Sequence, residues 1–189
     1  MKERAEPLLL DIPETLETER LRLVATRAGA GSAINEAVTE SHPELRRWMP
    51  WARSAQTLEE SERHCREMQA KWFAREVLDF CFHRRSDGGF IGKGGLHTIE
   101  WEVPKFEIGY WVRTSCARQG YASEATSALV DLACGSLGAR RIEITSDARN
   151  AASRRVAEKS GFILEGIRRQ SRRDNLGGLA DSCLYARTF

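Results

Sequence analysis

The stretch ARQGYASEA, residues 117–125, has the residue types and order of an anion-binding turn. It follows a strand-like run, FEIGYWV, and opens a helix-like run that begins at Tyr121. The first N–H groups of a helix lack internal partners and the helix dipole favours negative charge there, so such a turn can bind phosphate. The same pattern also occurs where a helix and a sheet only pack closely. The stretch alone leaves both interpretations open.

A second segment with chemical potential is NAASRRVAEKSGF, residues 150–162. Asn150 stands where a helix begins and can offer its amide to a ligand, and Ser153, one turn later, can present a hydroxyl at the same end. The structural alternatives are an N-cap for Asn150 and a helix-filling role for Ser153. Neither G-x-G-x-x-G nor G-x-x-x-x-G-K-[ST] occurs in the chain, so a dinucleotide fingerprint and a nucleotide P-loop are not indicated.

Composition excludes several classes of function. The 189 residues carry 29 basic and 27 acidic side chains, a formal net charge of +2, which gives no basic field for direct nucleic-acid binding. No run of about 18 apolar residues predicts a membrane span. Five widely spaced cysteines without C-x-x-C and four histidines without ligand spacing argue against disulfides and a metal site. We expect a cytoplasmic protein without a metal cofactor.

Hydrophobic periodicity and turn residues predict the elements that position these segments. Residues 1–13 are expected to form an N-terminal arm, and residues 14–189 a single domain. Its order of elements is β, αα, βββ, α, β, α, ββ, which predicts an α/β fold with one mixed sheet. The strands are expected at 18–25, 79–84, 90–99, 105–112, 141–146, 162–173 and 179–188, and the helices at 31–40, 58–75, 122–137 and 150–161.

Three motifs together, FEIGYWV, ARQGYASEA and NAASRRVAEKSGF, resemble the core of the Gcn5-related N-acetyltransferase (GNAT) superfamily. The segments LETERLRL, HPELRRWMPW and GFILEGIRR resemble its branch of ribosomal-protein N-terminal acetyltransferases, the RimJ/RimL-like proteins. The likeness spans residues 15–189. It implies a single-domain GNAT-like mixed sheet, mostly antiparallel, of about seven strands flanked by about four helices. It also implies acetyl-CoA as the acetyl donor.

The resemblance implies which residues bind this donor. The pyrophosphate is expected on the backbone N–H groups of the turn, and the pantetheine arm alongside the preceding strand and at the start of the later helix. The chain departs from the family pattern at Ala117 and Arg118, which is expected to alter affinity rather than abolish it. The implied cofactor-binding residues are Trp111, Val112, Arg113, Arg118, Gln119, Gly120, Tyr121, Ala122, Ser123 and Asn150.

Acetyl transfer needs a neutral amine and a proton for the departing thiolate. Glu107, on the strand before the turn, resembles the general base of some relatives; its alternative role is that of a solvent-facing strand residue. Ser153 resembles the serine proposed to reprotonate the thiolate, with Tyr110 or Tyr121 as competitors. An α-amino group, with a pKa of about 8, asks less of a base than a lysine at about 10.4.

The resemblance to ribosomal-protein N-terminal acetyltransferases implies the N-terminal α-amino group of a protein, such as a ribosomal protein, as the acceptor, and the smaller demand on the base agrees with it. Trp48 and Trp51 are expected on the loop between the first two helices, where they either line the acceptor channel or fill the core beneath the loop. A small-molecule amine, such as an aminoglycoside, a polyamine or an amino acid, is the alternative acceptor. A non-catalytic acyl-CoA-binding module is a second alternative, and the sequence leaves a homodimer open.

Overall fold

A computed structural model describes residues 6–189 of the chain. Apart from one additional strand at the start, its strands and helices follow the order that the hydrophobic pattern predicts. The strands are β1 (Thr15–Glu17), β2 (Leu21–Ala25), β3 (Leu78–Arg84), β4 (Phe90–Glu100), β5 (Lys105–Val112), β6 (Arg141–Asp147), β7 (Ile163–Arg173) and β8 (Leu179–Thr188). The helices are α1 (Gly31–Trp48), α2 (Leu58–Phe73), α3 (Tyr121–Gly135) and α4 (Ala151–Lys159).

The strands form one mixed sheet in the order β1-β2-β3-β4-β5-β6-β8-β7. All neighbouring strands are antiparallel except β5 and β6, which are parallel. This confirms the predicted α/β class and the mostly antiparallel sheet with four helices. The sheet has eight strands where about seven were expected.

The additional strand is β1, which lies before the predicted strand over residues 18–25; that predicted strand begins only at Leu21, because residues 18–20 form a turn. The backbone N–H of Thr18 donates to the carbonyl of Leu21, and the Thr18 hydroxyl accepts the N–H of Leu21. These two bonds turn the chain tightly, so that β1 and β2 form an antiparallel hairpin. A threonine hydroxyl that bonds to the nearby backbone competes in this way with continued strand pairing.

The first helix is longer than predicted. It was expected to end at residue 40, but α1 continues to Trp48 and contains Pro43. Proline lacks the N–H that would bond to the carbonyl of Thr39 and usually ends a helix. Thr39 and Pro43 are both exposed, so water can satisfy that carbonyl and the helix continues. The predicted position of Trp48 on a loop is therefore wrong, because Trp48 is the last residue of α1. Trp51 lies in the short 3₁₀ turn Pro50–Ala52 that follows.

Helices cover both faces of the sheet, as the alternation of side chains along β3 shows. Phe80 and Phe82 belong to the larger core, which includes buried residues of α3 and α4, whereas Cys81 belongs to a smaller core beneath α1 and α2. Residues 1–5 of the expected N-terminal arm lie outside the described residues. In the described part, the Arg75 guanidinium donates to the carbonyls of Pro7 and Leu10. None of the helices in residues 6–189 has the length and hydropathy that a membrane span requires.

Candidate active site

The parallel pair at the centre of the sheet separates soon after it forms. Within residues 6–189, the pairing of β5 with β6 is limited to Lys105–Glu107, while β6 continues along β8 as far as Asp147. On the other side of β5, the N–H of Arg113 donates to the carbonyl of Ile91. Because backbone groups alternate between the two edges of a strand, those of residues 108, 110 and 112 face the open edge of β5. This edge can accept an extended ligand.

A cleft of about 590 Å³ lies over this opening. It is bounded by β4, β5 and β6, by α1, α2 and the segment between them, and by the start of α4. Seven of the residues selected from the sequence line this cleft together: Trp48, Trp51, Glu107, Tyr110, Trp111, Asn150 and Ser153. The structure thus brings together side chains that are more than 100 positions apart in the chain.

The turn after β5 lies beyond the cleft, at the start of α3. Gly120 precedes the helix with φ +85°, a left-handed conformation that costs a side-chain-bearing residue roughly 1–2 kcal/mol. The first intrahelical bond runs from the N–H of Glu124 to the carbonyl of Gly120, so the N–H groups of Tyr121, Ala122 and Ser123 have no intrahelical acceptor. Arg118 is exposed and also has a positive φ, +62°. The turn therefore presents three backbone N–H groups without an intrahelical acceptor at the start of α3.

Long-range contacts with the β1–β2 hairpin hold this turn in place. Arg20 donates to the carbonyl of Gln119 over 2.9 Å and forms a salt bridge with Glu124 over 2.6 Å. Its guanidinium also lies 4.7 Å from the ring centroid of Tyr121. The Thr18 hydroxyl donates to the same carboxylate of Glu124. The sequence analysis missed Arg20 and Glu124, because only the folded hairpin brings Arg20 next to the turn.

The start of α4 lies close to β5 in the cleft. Asn150 caps the helix, since its Oδ1 accepts the N–H of Ser153 over 3.1 Å, and its Nδ2 remains as a donor for a ligand. The Tyr110 hydroxyl donates to the Ser153 carbonyl and lies 3.1 Å from Ser153 Oγ. Burial raises the pKa of Tyr110 to about 12, so the phenol is protonated at neutral pH. Two hydroxyl groups therefore adjoin each other where β5 and α4 meet.

Aromatic side chains form one wall of the cleft. The ring centroids of Trp51 and Trp111 lie 6.1 Å apart, and Trp111 is at the same distance from Phe90. Beside this wall, the Asn175 amide in the turn between β7 and β8 donates to the carbonyls of Arg46 and Met49 over 2.9 and 2.7 Å. These two bonds, the Asn175 bridge, join that turn to the end of α1.

Comparison with known proteins assigns the family. A sequence profile described as "Acetyltransferase (GNAT) domain" matches residues 20–163. The chain belongs to the GNAT acetyltransferase family. This confirms the predicted family, and with it the N-acetyltransferase activity and the acetyl-CoA donor that define it.

Individual GNAT relatives cover nearly the whole chain. The chain is 28% identical over 178 residues to the ribosomal-protein-serine acetyltransferase of Escherichia coli, which covers 92% of this chain and 96% of the relative. It is 29% identical over 155 residues to the uncharacterized N-acetyltransferase YoaA of Bacillus subtilis, with coverages of 82% and 86%. Among solved structures, RimL, a ribosomal L7/L12 alpha-N-protein acetyltransferase in complex with coenzyme A, superposes with a TM-score of 0.86 at 25% identity, covering 94% and 97% of the two chains.

A buried polar cluster at the α2 side of this GNAT cleft was not anticipated from the sequence. Lys93 is 4% exposed, and its Nζ lies 2.7 Å from Asp79 Oδ2 and 2.6 Å from His64 Nε2. Burial and the neighbouring Lys93 charge lower the pKa of His64, so the imidazole is neutral and accepts a hydrogen bond from the ammonium group. A run of sequence gives no signal for such a cluster, because its members come from α2, β3 and β4.

The side chain of Arg113, at the end of β5, binds α1 rather than the cleft. It forms hydrogen bonds with both Glu36 and Glu40, and the other oxygen of Glu40 accepts the N–H of Ser115. Arg113 and Ser115 together lower the pKa of Glu40 from 4.5 to about 2. The ionised carboxylate therefore links α1 to the segment that leads into the turn before α3.

We expect Glu40→Gln to lower the free energy of unfolding by about 1 kcal/mol at pH 7, a modest value because the pair is partly solvated. The folded-state pKa of Glu40 lies below its unfolded value, so its contribution is present above about pH 4.5 and is lost as the pH falls towards 2. Urea unfolding at several pH values measures this. The difference between the variant and the wild type should shrink on acidification; a difference that grows would contradict the assignment.

Proposed function

We propose that this GNAT protein transfers the acetyl group of acetyl-CoA directly to the N-terminal α-amino group of a protein, with ribosomal proteins as the substrate class. The observation that carries the proposal is the cleft over the open edge of β5, with Glu107 on one side and Ser153 on the other. Similarity over 96% of the E. coli ribosomal-protein-serine acetyltransferase supports this class of acceptor.

The donor would bind along the open edge and reach the turn before α3. In this arrangement, the pyrophosphate accepts hydrogen bonds from the N–H groups of residues 119–123, and the exposed Arg118 lies next to them. The pantetheine arm pairs with the backbone of Val112 and Tyr110, and the Asn150 amide donates to it. The side chain of Arg113 is engaged with Glu36 and Glu40, so its role is to fix the end of β5.

The chemical step needs a proton acceptor and a proton donor near the thioester. Glu107 would accept a proton from the attacking nitrogen, since its carboxylate lines the cleft and has no ion-pair partner among residues 6–189. Ser153 would donate a proton to the departing thiolate, and the Tyr110 hydroxyl fixes the position of Ser153. Both groups adjoin the open edge of β5, where the thioester would lie.

The acceptor would enter past Trp48, Trp51 and Trp111, which line the cleft. An aromatic wall binds the apolar part of a peptide and also attracts an ammonium group through its ring faces. The Asn175 bridge would fix the end of α1, which carries Trp48, beside this entrance. We also propose a cytoplasmic location, which agrees with the acceptor class and with the five free cysteine thiols.

Incubation with acetyl-CoA and a panel of acceptors tests the proposal. The panel contains peptides with N-terminal Ser, Ala or Met, the same peptides blocked at the N-terminus but carrying an internal lysine, and small amines. Release of coenzyme A thiol reports turnover, and mass spectrometry locates the acetyl group. We expect acetylation of free α-amino groups and none of the blocked peptides. Turnover of small amines alone would assign a small-molecule acceptor, and binding of acetyl-CoA without any turnover would identify a non-catalytic module.

A further inference from the structure

A histidine that the sequence analysis did not select lies on the same face of the sheet as Glu107. His97 on β4 is the direct cross-strand partner of Glu107 on β5, and both side chains line the cleft. Directly opposed residues in an antiparallel pair project on the same side, with Cβ atoms about 5 Å apart. An imidazole and a carboxylate therefore stand next to each other on the wall of the cleft.

The backbone around His97 is shaped to place its ring there. A Cβ atom built on Gly109 would lie 2.8 Å from His97 Nε2 and 3.2 Å from its Cδ2, so the ring extends over β5 at the position where Gly109 has no side chain. The φ of Gly109 is not positive, so the backbone conformation does not require glycine there. Glycine is needed at residue 109 because a side chain would collide with the His97 ring. Gly109 lies between Glu107 and Trp111 along the strand, in the lining of the cleft.

Local strain follows immediately after His97. Thr98 has φ +48°, a conformation that is a genuine outlier for a β-branched residue, and the register of β4 against β5 shifts between His97 and Glu100. Bulges of this kind often redirect a side chain beside an active site, and strained residues cluster at such sites. The hydroxyl of the same Thr98 lies 3.0 Å from His97 Nδ1. When Nδ1 donates to this hydroxyl, the lone pair of Nε2 is free to act on a ligand.

The reaction needs two proton acceptors, because an ammonium group has to lose two protons to become an amide. The first proton leaves before attack, from an α-ammonium group with a pKa of about 8. The second leaves after attack, from a nitrogen that is far more acidic. A base works best when its pKa is near the operating pH, and the imidazole is the side chain that ordinarily meets this condition, whereas a carboxylate suffices for the second proton.

We propose that His97 is a catalytic base of this enzyme, which removes the first proton of the acceptor ammonium group, while Glu107 removes the second. The proposal rests on the acetyl transfer described above and adds a residue to it. His97 Nε2 takes a proton, and the nitrogen lone pair attacks the thioester carbon. The C–S bond then breaks, its electron pair stays on sulfur, and the thiolate takes a proton from Ser153. Glu107 takes the second nitrogen proton, and solvent finally restores each group.

Other charged groups share the cleft and belong to the same proton balance. His64, Asp79 and Lys93 line its α2 side, and Asp147 and Arg172 its β6 side. Lys93 is paired with Asp79, and Arg172 with Asp147. Within each pair the two opposite charges compensate each other. Glu107 and His97 are therefore left to act on the acceptor amine.

The variant His97→Asn tests the role, because an asparagine amide can replace Nδ1 in the bond to Thr98 but has no counterpart of Nε2. We expect kcat/KM for glycinamide, a small α-amine, to fall about 100-fold at pH 7.5. The rate with hydroxylamine, which is already neutral at this pH, should change less than about threefold. The pH dependence of kcat/KM with glycinamide should differ between the wild type and the variant, whereas a purely structural role would leave its shape unchanged.

Thermal unfolding and coenzyme A affinity, measured on both proteins, identify a variant that is simply misfolded. If the variant His97→Asn acetylated glycinamide at the wild-type rate, the proposal would be overturned. Equal losses with glycinamide and hydroxylamine would also overturn it, since they would show a structural role. Absence of turnover by the wild-type protein with every amine would reject the acetyl-transfer function itself, and the role of His97 with it.

Discussion

Replacement of Glu107 by glutamine is expected to lower kcat about 100-fold with a peptide acceptor, because general acid–base groups contribute about 10²–10⁴ to a rate. Glutamine has nearly the same shape but cannot accept a proton. Affinity for acetyl-CoA should stay within about twofold, since in the proposed arrangement the carboxylate faces the acceptor and the donor binds through the backbone of β5. Steady-state release of coenzyme A thiol measures the rate, and calorimetry measures the affinity.

The matched control for this variant is Glu143→Gln. Glu143 is the partner of Glu107 on the neighbouring strand β6, but it forms a salt bridge with Arg141 and does not line the cleft. We expect its kcat to match that of the wild type. If Glu107→Gln retained the wild-type kcat, the carboxylate would have no part in proton transfer.

Gly120→Val is expected to weaken acetyl-CoA binding between about tenfold and a hundredfold. Valine at φ +85° introduces strain of about 1–3 kcal/mol, and the turn is expected to move in order to relieve it. If that strain energy is lost from binding, each 1.4 kcal/mol lowers the affinity for acetyl-CoA by about a factor of ten. The new Cβ would also lie 3.3 Å from Arg20 Nη2, in the guanidinium that holds the turn. Calorimetric titration with coenzyme A measures the loss.

Gly135→Ala provides the control for the loss of a glycine. Gly135 ends α3, has no neighbour within 4 Å of a built Cβ and does not have a positive φ. Alanine there should leave coenzyme A affinity unchanged and raise the midpoint of thermal unfolding slightly, because alanine favours the helix by about 0.5–1 kcal/mol. Undiminished affinity in Gly120→Val would show that the pyrophosphate does not bind at this turn.

Elements whose signals are local could be predicted from the sequence. Gly120 before α3 and Asn150 before α4 mark helix starts through their own conformational preferences, and both helices begin within one residue of the expected position. The end of α1 could not be predicted in this way. A proline normally stops a helix, but α1 continues through Pro43. The helix tolerates this proline because the turn that contains it is exposed to water, and that exposure is defined only in the folded chain.

The candidate site shows the same division. Glu107 and Ser153 could be selected from the motifs that contain them, and the fold brings both into one cleft. His97 could not be selected, because its position depends on the register of β4 against β5 and on the missing side chain of Gly109. The pairing register between strands is a property of the whole sheet, and it cannot be predicted from the sequence around residue 97 alone.

The early separation of β5 from β6 also has a thermodynamic consequence. A ligand that pairs with the open edge of β5 makes hydrogen bonds that the sheet itself does not make beyond Glu107. Such a ligand binds the native chain but not the unfolded one, so occupancy and resistance to unfolding rise together. At a free concentration one hundred times its Kd, a ligand adds about 2.7 kcal/mol to the stability of the native state. Where acetyl-CoA is present at saturating concentration, binding of this donor would therefore also stabilise the native state against unfolding.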